Sequence, residues 1–467
     1  MTSRSPKPAK KVRPEKLPPS TKRSLAQSLV HRGPVLVLGT VILAFSYNFF
    51  GFISKYSVNV LFYDQWDFLR LFFGGNASLG ELFLMQHGPI REGVGILADK
   101  YLYALTDWNV RAEAFMIGGC LFVAMLLALL LKKRLFGRLS YSDVAIPIMF
   151  LSLAQWEGLT GTPNPAYSAF PLTMMILYCL ALPQPNPILK YSLVLIVNFF
   201  LIYTGFGLFM GIVTIGVFAL QCYWQLRRFT SIPAAFPFVG LLIAGASLGS
   251  FFLGYTFTTS VDCFDAPRPG PIAYLRFMGF MLANFLGLRG SWLAAGVGPL
   301  ILLSVVVVLG AQMRSLIARD HSADISLTRG VLLSFGVLYM ASTALGRICL
   351  GPEAAQSSRY TTLLIPLFLA LYFFLLSMPS GRLKGIALGV FALVLIPNAL
   401  SVPLDAIKFA DGKRAWTACY LQTENIKNCD QITGFVIYPS PERTGLRQKL
   451  DYLKQHRLSF YADSPPR

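Results

Sequence analysis

Apolar stretches of about 20 residues recur along the whole chain, separated by short polar connectors, and each is long enough to cross a bilayer as a helix. The pattern predicts eleven spans, near residues 35–54, 114–131, 142–156, 167–183, 188–204, 206–225, 235–255, 292–311, 330–346, 362–378 and 385–401. The run 188–225 is too long for one crossing, and Thr204-Gly205-Phe206-Gly207 divides it into a hairpin of two helices. Segment 271–288 suits either a span or a helix lying in the outer interface. The interfacial or re-entrant reading keeps Arg314 and Arg319 among the inner connectors, so we expect that one.

The connectors fix a sidedness. Lys132, Lys133, Arg134 and Arg138, then Lys190, Arg227 and Arg228, Arg314, Arg319 and Arg329, and finally Arg382 and Lys384 all fall on one side, which the positive-inside rule makes cytoplasmic. The expected fold class is therefore an all-α polytopic membrane protein of about 11 transmembrane helices. Amphipathic stretches at 79–85 and 96–105 suit interfacial helices in the first outer loop. Three parts follow: a basic, disordered cytoplasmic tail over 1–33; a transmembrane part over 34–403 whose first outer loop is 55–113; and a small extracytoplasmic tail over 404–467.

Composition agrees. Of 467 residues 54% are hydrophobic and only 13% charged, against roughly 25% charged in soluble domains, and the mean hydropathy is +0.56. The formal charge of +19 is scattered over loop ends and the N-terminal tail. It forms no stripe of the kind that tracks a nucleic acid, so membrane lipid is the expected partner of the basic residues and nucleic acid is not. No small-residue cleavage site follows the first apolar run, which reads as a retained span.

Candidate chemistry lies at helix ends and in outer loops. The expected helix centres hold no Asp, Glu, Lys or Arg, the groups on which proton relays and ion-coupled carriers depend. The first outer loop opens with Tyr63-Asp64-Gln65-Trp66-Asp67 and continues through Gln86-His87-Gly88-Pro89-Ile90-Arg91 to Lys100. A carboxylate near the lipid surface, at Asp64 or Asp67, suits proton abstraction from an attacking hydroxyl or ligation of a divalent cation; either residue also suits a helix cap. Glu157, just past the third span, is a third outer acid. Arg347 ends the ninth span and Ser358-Arg359-Tyr360 immediately precedes the tenth, and a guanidinium fork binds phosphate oxygens bidentately. Contact with ordinary headgroups and membership of the aromatic belt are the plainer readings of Arg359 and Tyr360. No phosphate-cradling glycine loop, metal-binding histidine pair or nucleophile elbow occurs, so no cofactor is implied beyond a divalent metal at the acids. Cys419 and Cys429 are expected to form a disulfide, as are Cys263 and Cys349, since all four fall outside on this topology. Cys120, Cys179 and Cys222 fall within spans and read as core residues.

The layout over about 35–401 resembles the C-type glycosyltransferase superfamily, polytopic enzymes that take a sugar from a polyprenyl-phosphate carrier outside the bacterial cytoplasmic membrane. The acid after the first span matches Asp64 or Asp67, and the acid after the third matches Glu157. Gln86-His87-Gly88-Pro89-Ile90-Arg91 and Ser358-Arg359-Tyr360 look like patterns in bacterial membrane proteins grouped with these enzymes. The chain departs in having Asp-Gln-Trp-Asp in place of an adjacent acidic pair, and in lacking a long soluble domain after the last span. The resemblance implies an inverting transfer to a glycan, lipid or protein acceptor. A carboxylate would be the base, with Arg359 stabilising the lipid phosphate, helped by Arg347, Arg91, Lys100, His87 and Tyr360. A carrier or flippase for a lipid-linked saccharide, or a polymerase or ligase, is the alternative.

Overall fold

The computed structural model describes residues 25–462 apart from 76, 228–234, 260, 262, 291, 319–322 and 443–444. Most of the basic tail, together with Arg228 and Arg319, lies outside the described residues. Among the described residues seven helical stretches are long and apolar enough to cross a membrane: Gly33–Tyr56, Val110–Phe136, Leu208–Leu226, Trp292–Ala318, Ala323–Leu350, Ser358–Ser377 and Arg382–Thr423. The shorter apolar helices Ala169–Ala181, Pro187–Ile202 and Ala235–Phe251 pack among them. Leu43, Leu242, Leu300 and Leu393 stand exposed on the outside of the bundle, a surface that suits hydrocarbon and not water. The chain is an all-α membrane protein.

Helix ends follow local chemistry. The Asn109 side chain accepts from the Arg111 amide at 2.9 Å to start Val110–Phe136, and Gly137 ends it at a φ of 80°. Asn186 caps the helix Pro187–Ile202, whose first residue is the proline that this position favours. Where two helices cross most closely, a Cβ on Gly298 would stand 2.3 Å from the Gly279 carbonyl oxygen, so only glycine permits the contact.

The third expected span is not a regular helix. Residues 141–161 pass through a 3-10 turn (Tyr141–Val144), a six-residue α-helix (Ala145–Phe150), a second 3-10 turn (Leu153–Gln155) and a π-turn (Glu157–Gly161). The segment runs beside helix Thr361–Ser377, with Asp143 accepting from the Tyr372 hydroxyl at 2.6 Å and Gln155 from the Thr362 hydroxyl at 2.9 Å. Irregular backbone at this depth is tolerable because protein surrounds it, and every residue of 145–150 is buried. At its start a buried Lys132–Asp143 ion pair (2.8 Å) joins the segment to the end of helix Val110–Phe136.

Segment 271–288 forms the helix Pro271–Phe285, roughly 22 Å long. Tyr274 borders a small recess with Phe264 and Cys349, while the Asn398 amide donates to the Asn284 and Phe285 carbonyls at 3.1 and 2.9 Å.

Residues 404–462 are no loose tail. Trp416, Tyr420, Ile437, Leu446, Leu450, Leu453 and Phe460 share one hydrophobic core with Val60, Trp66, Phe68, Leu82, Tyr103 and Trp108 of the first loop. Polar ties join the same partners: the Tyr63 amide donates to the Ile437 carbonyl (3.1 Å), the Tyr438 hydroxyl to Asp67 (2.8 Å) and the Ser459 amide to the Asp107 carbonyl (2.7 Å). The loop helices at Leu79–Phe83 and Gly93–Leu105 belong to this two-part module. Cys419–Cys429 and Cys263–Cys349 are disulfide-bonded, while Cys120, Cys179 and Cys222 are free.

Candidate functional site

A cavity of about 500 Å³ opens where the first loop, the segment 157–168 and the end of helix Ala323–Arg347 meet. Its lining includes Asp64, His87, Glu157, Arg347, Arg359 and Tyr360, six side chains brought together from five separate stretches of chain. The rest of the wall is largely apolar and aromatic: Phe206, Phe209, Phe257, Val261, Phe264, Tyr339 and Leu345. A polar end with an apolar flank is the shape of an amphiphile site.

Asp64 reaches the cavity through an unusual turn. Tyr63 adopts a φ of 53°, a left-handed conformation uncommon for a bulky residue, and is held by its amide bond to Ile437. Asp64 then stands at the N-cap of the short helix Gln65–Phe68, yet its side chain makes no capping bond. The carboxylate thus stays open to the cavity. Asp67 takes the opposite course: it accepts from Tyr438 and does not line the cavity.

Glu157 begins the π-turn and is wrapped by the 357–359 loop. Its carboxylate pairs with the Arg359 guanidinium at 2.5 Å and accepts from the Ser357 hydroxyl at 2.8 Å and the Arg359 amide at 3.3 Å. The Arg359 side chain remains 48% exposed, leaving its outer edge free for an anion. Arg347 and Arg268 also line the cavity, and among the described residues neither has a carboxylate partner; Arg268 lies over the Phe264 ring at 5.7 Å. His87 sits on a two-stranded hairpin, Gln86–His87 against Ile90–Arg91, edge-on to Phe68.

Arg91 and Lys100 are not in the cavity. Arg91 is buried and donates to the carbonyls of Leu84, Phe251 and Leu253, so it clamps the end of helix Ala235–Phe251 and has no fork left for phosphate. Its anion-binding expectation is replaced by that structural one. Arg268 was missed because a single arginine between two prolines carries no motif.

Behind the cavity lies a buried polar cluster that sequence reasoning also missed. Glu92 accepts from the Asn164 amide at 3.0 Å, and Glu113 accepts from Gln65 at 3.1 Å and the Tyr103 hydroxyl at 2.5 Å. Asp99, 1% exposed, has no hydrogen-bond partner on either carboxylate oxygen among the described residues. Burial raises the Asp99 carboxyl well above its ordinary range, and the neighbouring Glu113 and Glu92 charges push the same way. Burial likewise raises Glu92, against the lowering influence of His87 and its hydrogen bonds.

The linkage has a definite sign. Folded Asp99 keeps a proton that the unfolded chain releases above about pH 4, so stability falls as pH rises from there toward the elevated folded value. Within that window the slope reaches up to about 1.4 kcal/mol per pH unit. Thermal unfolding of the purified protein is therefore expected to shift downward as pH rises above about 4, the ordinary carboxylate value, and Asp99→Asn to flatten that dependence. Equal slopes in the two proteins would show that Asp99 is already ionised in the fold.

The chain matches no protein-family model, and no match to it was found among curated proteins or solved structures. Its class rests on its own fold and site: an all-α membrane protein with an amphiphilic cavity at one end of the bundle.

Proposed function

We propose that the protein is a glycosyltransferase that moves a sugar from a polyprenyl-phosphate donor to an acceptor hydroxyl on the outer face of the membrane. The observation that carries this reading is the joint placement of Asp64, a carboxylate with no capping bond and no ion pair among the described residues, and guanidinium groups in one cavity with an apolar flank. Three cavity arginines (Arg268, Arg347, Arg359) against two acids (Asp64, Glu157) leave one positive charge, which suits the single negative charge of a phosphodiester donor. The prenyl chain would lie along Phe209, Phe257, Val261 and Leu345.

In this reaction Asp64 takes the acceptor proton, the acceptor oxygen attacks the anomeric carbon, and the carbon–oxygen bond to phosphate breaks with inversion. The departing phosphate gathers charge beside Arg359 and Arg347. Glu157, tied to Arg359, orients that guanidinium and leaves the base role to Asp64. Counting the three shorter apolar helices and the irregular 141–161 segment with the seven long spans gives eleven crossings. On that count, with the basic connectors inside, the Lys132–Asp143 end would face the cytoplasm and the cavity the outside. A carrier would need polar groups leading to the cytoplasmic half, whereas the cavity and its charges lie at one end.

The test is transfer by purified protein in lipid nanodiscs with a panel of polyprenyl-phosphate sugars and mixed acceptors. Release of the prenyl phosphate coupled to an inverted glycosidic product is expected for one donor. Donor movement across vesicles without any glycosidic bond formed would replace this reading with the carrier.

A further inference from the structure

Lys413 is fully buried, on the helix Leu404–Thr423 of the C-terminal part of the module. A lysine is seldom driven to zero exposure unless its ammonium finds partners. Its donors reach the Thr160 carbonyl at 3.1 Å and the Gly161 carbonyl at 2.5 Å, and the ammonium lies 5.1 Å from the centre of the Phe62 ring. Thr160 and Gly161 close the π-turn that Glu157 opens, while Phe62 is two residues before Asp64. One ammonium therefore touches both stretches of chain that carry the cavity's acids. Around it, Phe409 of the same helix packs edge-on against Trp156 (5.1 Å) and Phe62 (5.5 Å), the residues beside those same stretches. Gln65 repeats the tie from the other side, donating to the Pro163 carbonyl and to Glu113 at 3.1 Å each.

We infer that Lys413 is a positioning residue that sets the spacing between Asp64 and the Glu157–Arg359 pair, which makes the C-terminal part of the module a working component of the cavity. The inference rests on the transferase reading for its kinetic arm only. The π-turn ends in carbonyls that no helical amide can satisfy, and a neutral or shorter side chain at 413 would leave them unpaired in a buried place. The turn would then relax, and Glu157 would move with it.

A plainer role for Lys413 is electrostatic: burial disfavours its charged form, while the buried Glu113 favours it. Two variants separate the roles. Lys413→Met removes both the grip on the carbonyls and the charge, and its failure to fold would be uninformative alone. Lys413→Met combined with Glu113→Gln removes the charge imbalance but still lacks the grip. In the combined variant, thermal stability is expected to recover, amide hydrogen exchange over 157–162 to rise at least tenfold over the wild type, and kcat to stay reduced by tenfold or more. Lys413→Arg, which keeps a cationic donor, is expected to restore most of the kcat. Wild-type exchange over 157–162 in the folded combined variant would overturn the inference, whatever donor the protein uses. If the wild type transfers no sugar from any donor, the transferase reading fails, and the exchange measurement still decides the role of Lys413.

Discussion

Asp64→Asn is expected to lower sugar transfer by about a hundred- to ten-thousand-fold, the usual effect of losing a general base, with folding and membrane insertion intact. The amide keeps the size of the side chain and removes its basicity. Since Asp64 makes no capping bond, no local hydrogen bond is lost with the charge. Asp67→Asn is the matched control: it keeps an oxygen to accept from Tyr438, lies off the cavity, and is expected to retain activity within a few-fold. Initial rates with saturating donor and acceptor make the comparison. Wild-type turnover by Asp64→Asn would move the base to Glu157, and normal rates in both Asp64→Asn and Glu157→Gln would favour the carrier.

Arg359→Ala is expected to be the second large effect, with kcat/KM down by about a hundred- to a thousand-fold, in line with loss of a preorganised charge-stabilising donor. Its partner would be the donor phosphate both before and during bond breaking, so the donor KM should rise as kcat falls. The variant also strips Glu157 of its ion pair, leaving a carboxylate held by Ser357 beside the cavity. Glu157→Gln should cost less, because its amide oxygen can still accept from Ser357 and keep the 357–359 loop in place. Donor titrations of all three proteins measure the split. A donor KM unchanged in Arg359→Ala would assign the phosphate to Arg347 and Arg268.

Long apolar spans were legible because hydrocarbon thickness imposes a length that composition alone reveals, and Val110–Phe136 and Trp292–Ala318 stand where the apolar runs are. The segment 141–161 read as a span for the same reason, although its backbone is broken; burial within protein, and not contact with lipid, accounts for its apolar residues. Which of Asp64 and Asp67 enters the cavity was not readable, because it turns on one left-handed residue, Tyr63, held by a strand of chain more than 370 residues away. Lys413 was invisible for a related reason. A lysine beside Arg414 in a polar helix reads as solvated, and only the surface brought together from the first loop and the 157–161 turn buries it.

The module that carries Asp64 is assembled from two pieces, residues 58–110 and 404–462, that share a core while the helices of the bundle lie between them in the chain. Its nucleus is therefore closed by very long loops, and the first piece waits, its tryptophans uncovered, until the second has been synthesised. Maturation of the cavity becomes the last event of biogenesis. A chain already threaded through the bilayer but lacking the second piece has no ordered Asp64 at the cavity, and its exposed first loop is the natural target for a holding chaperone or protease.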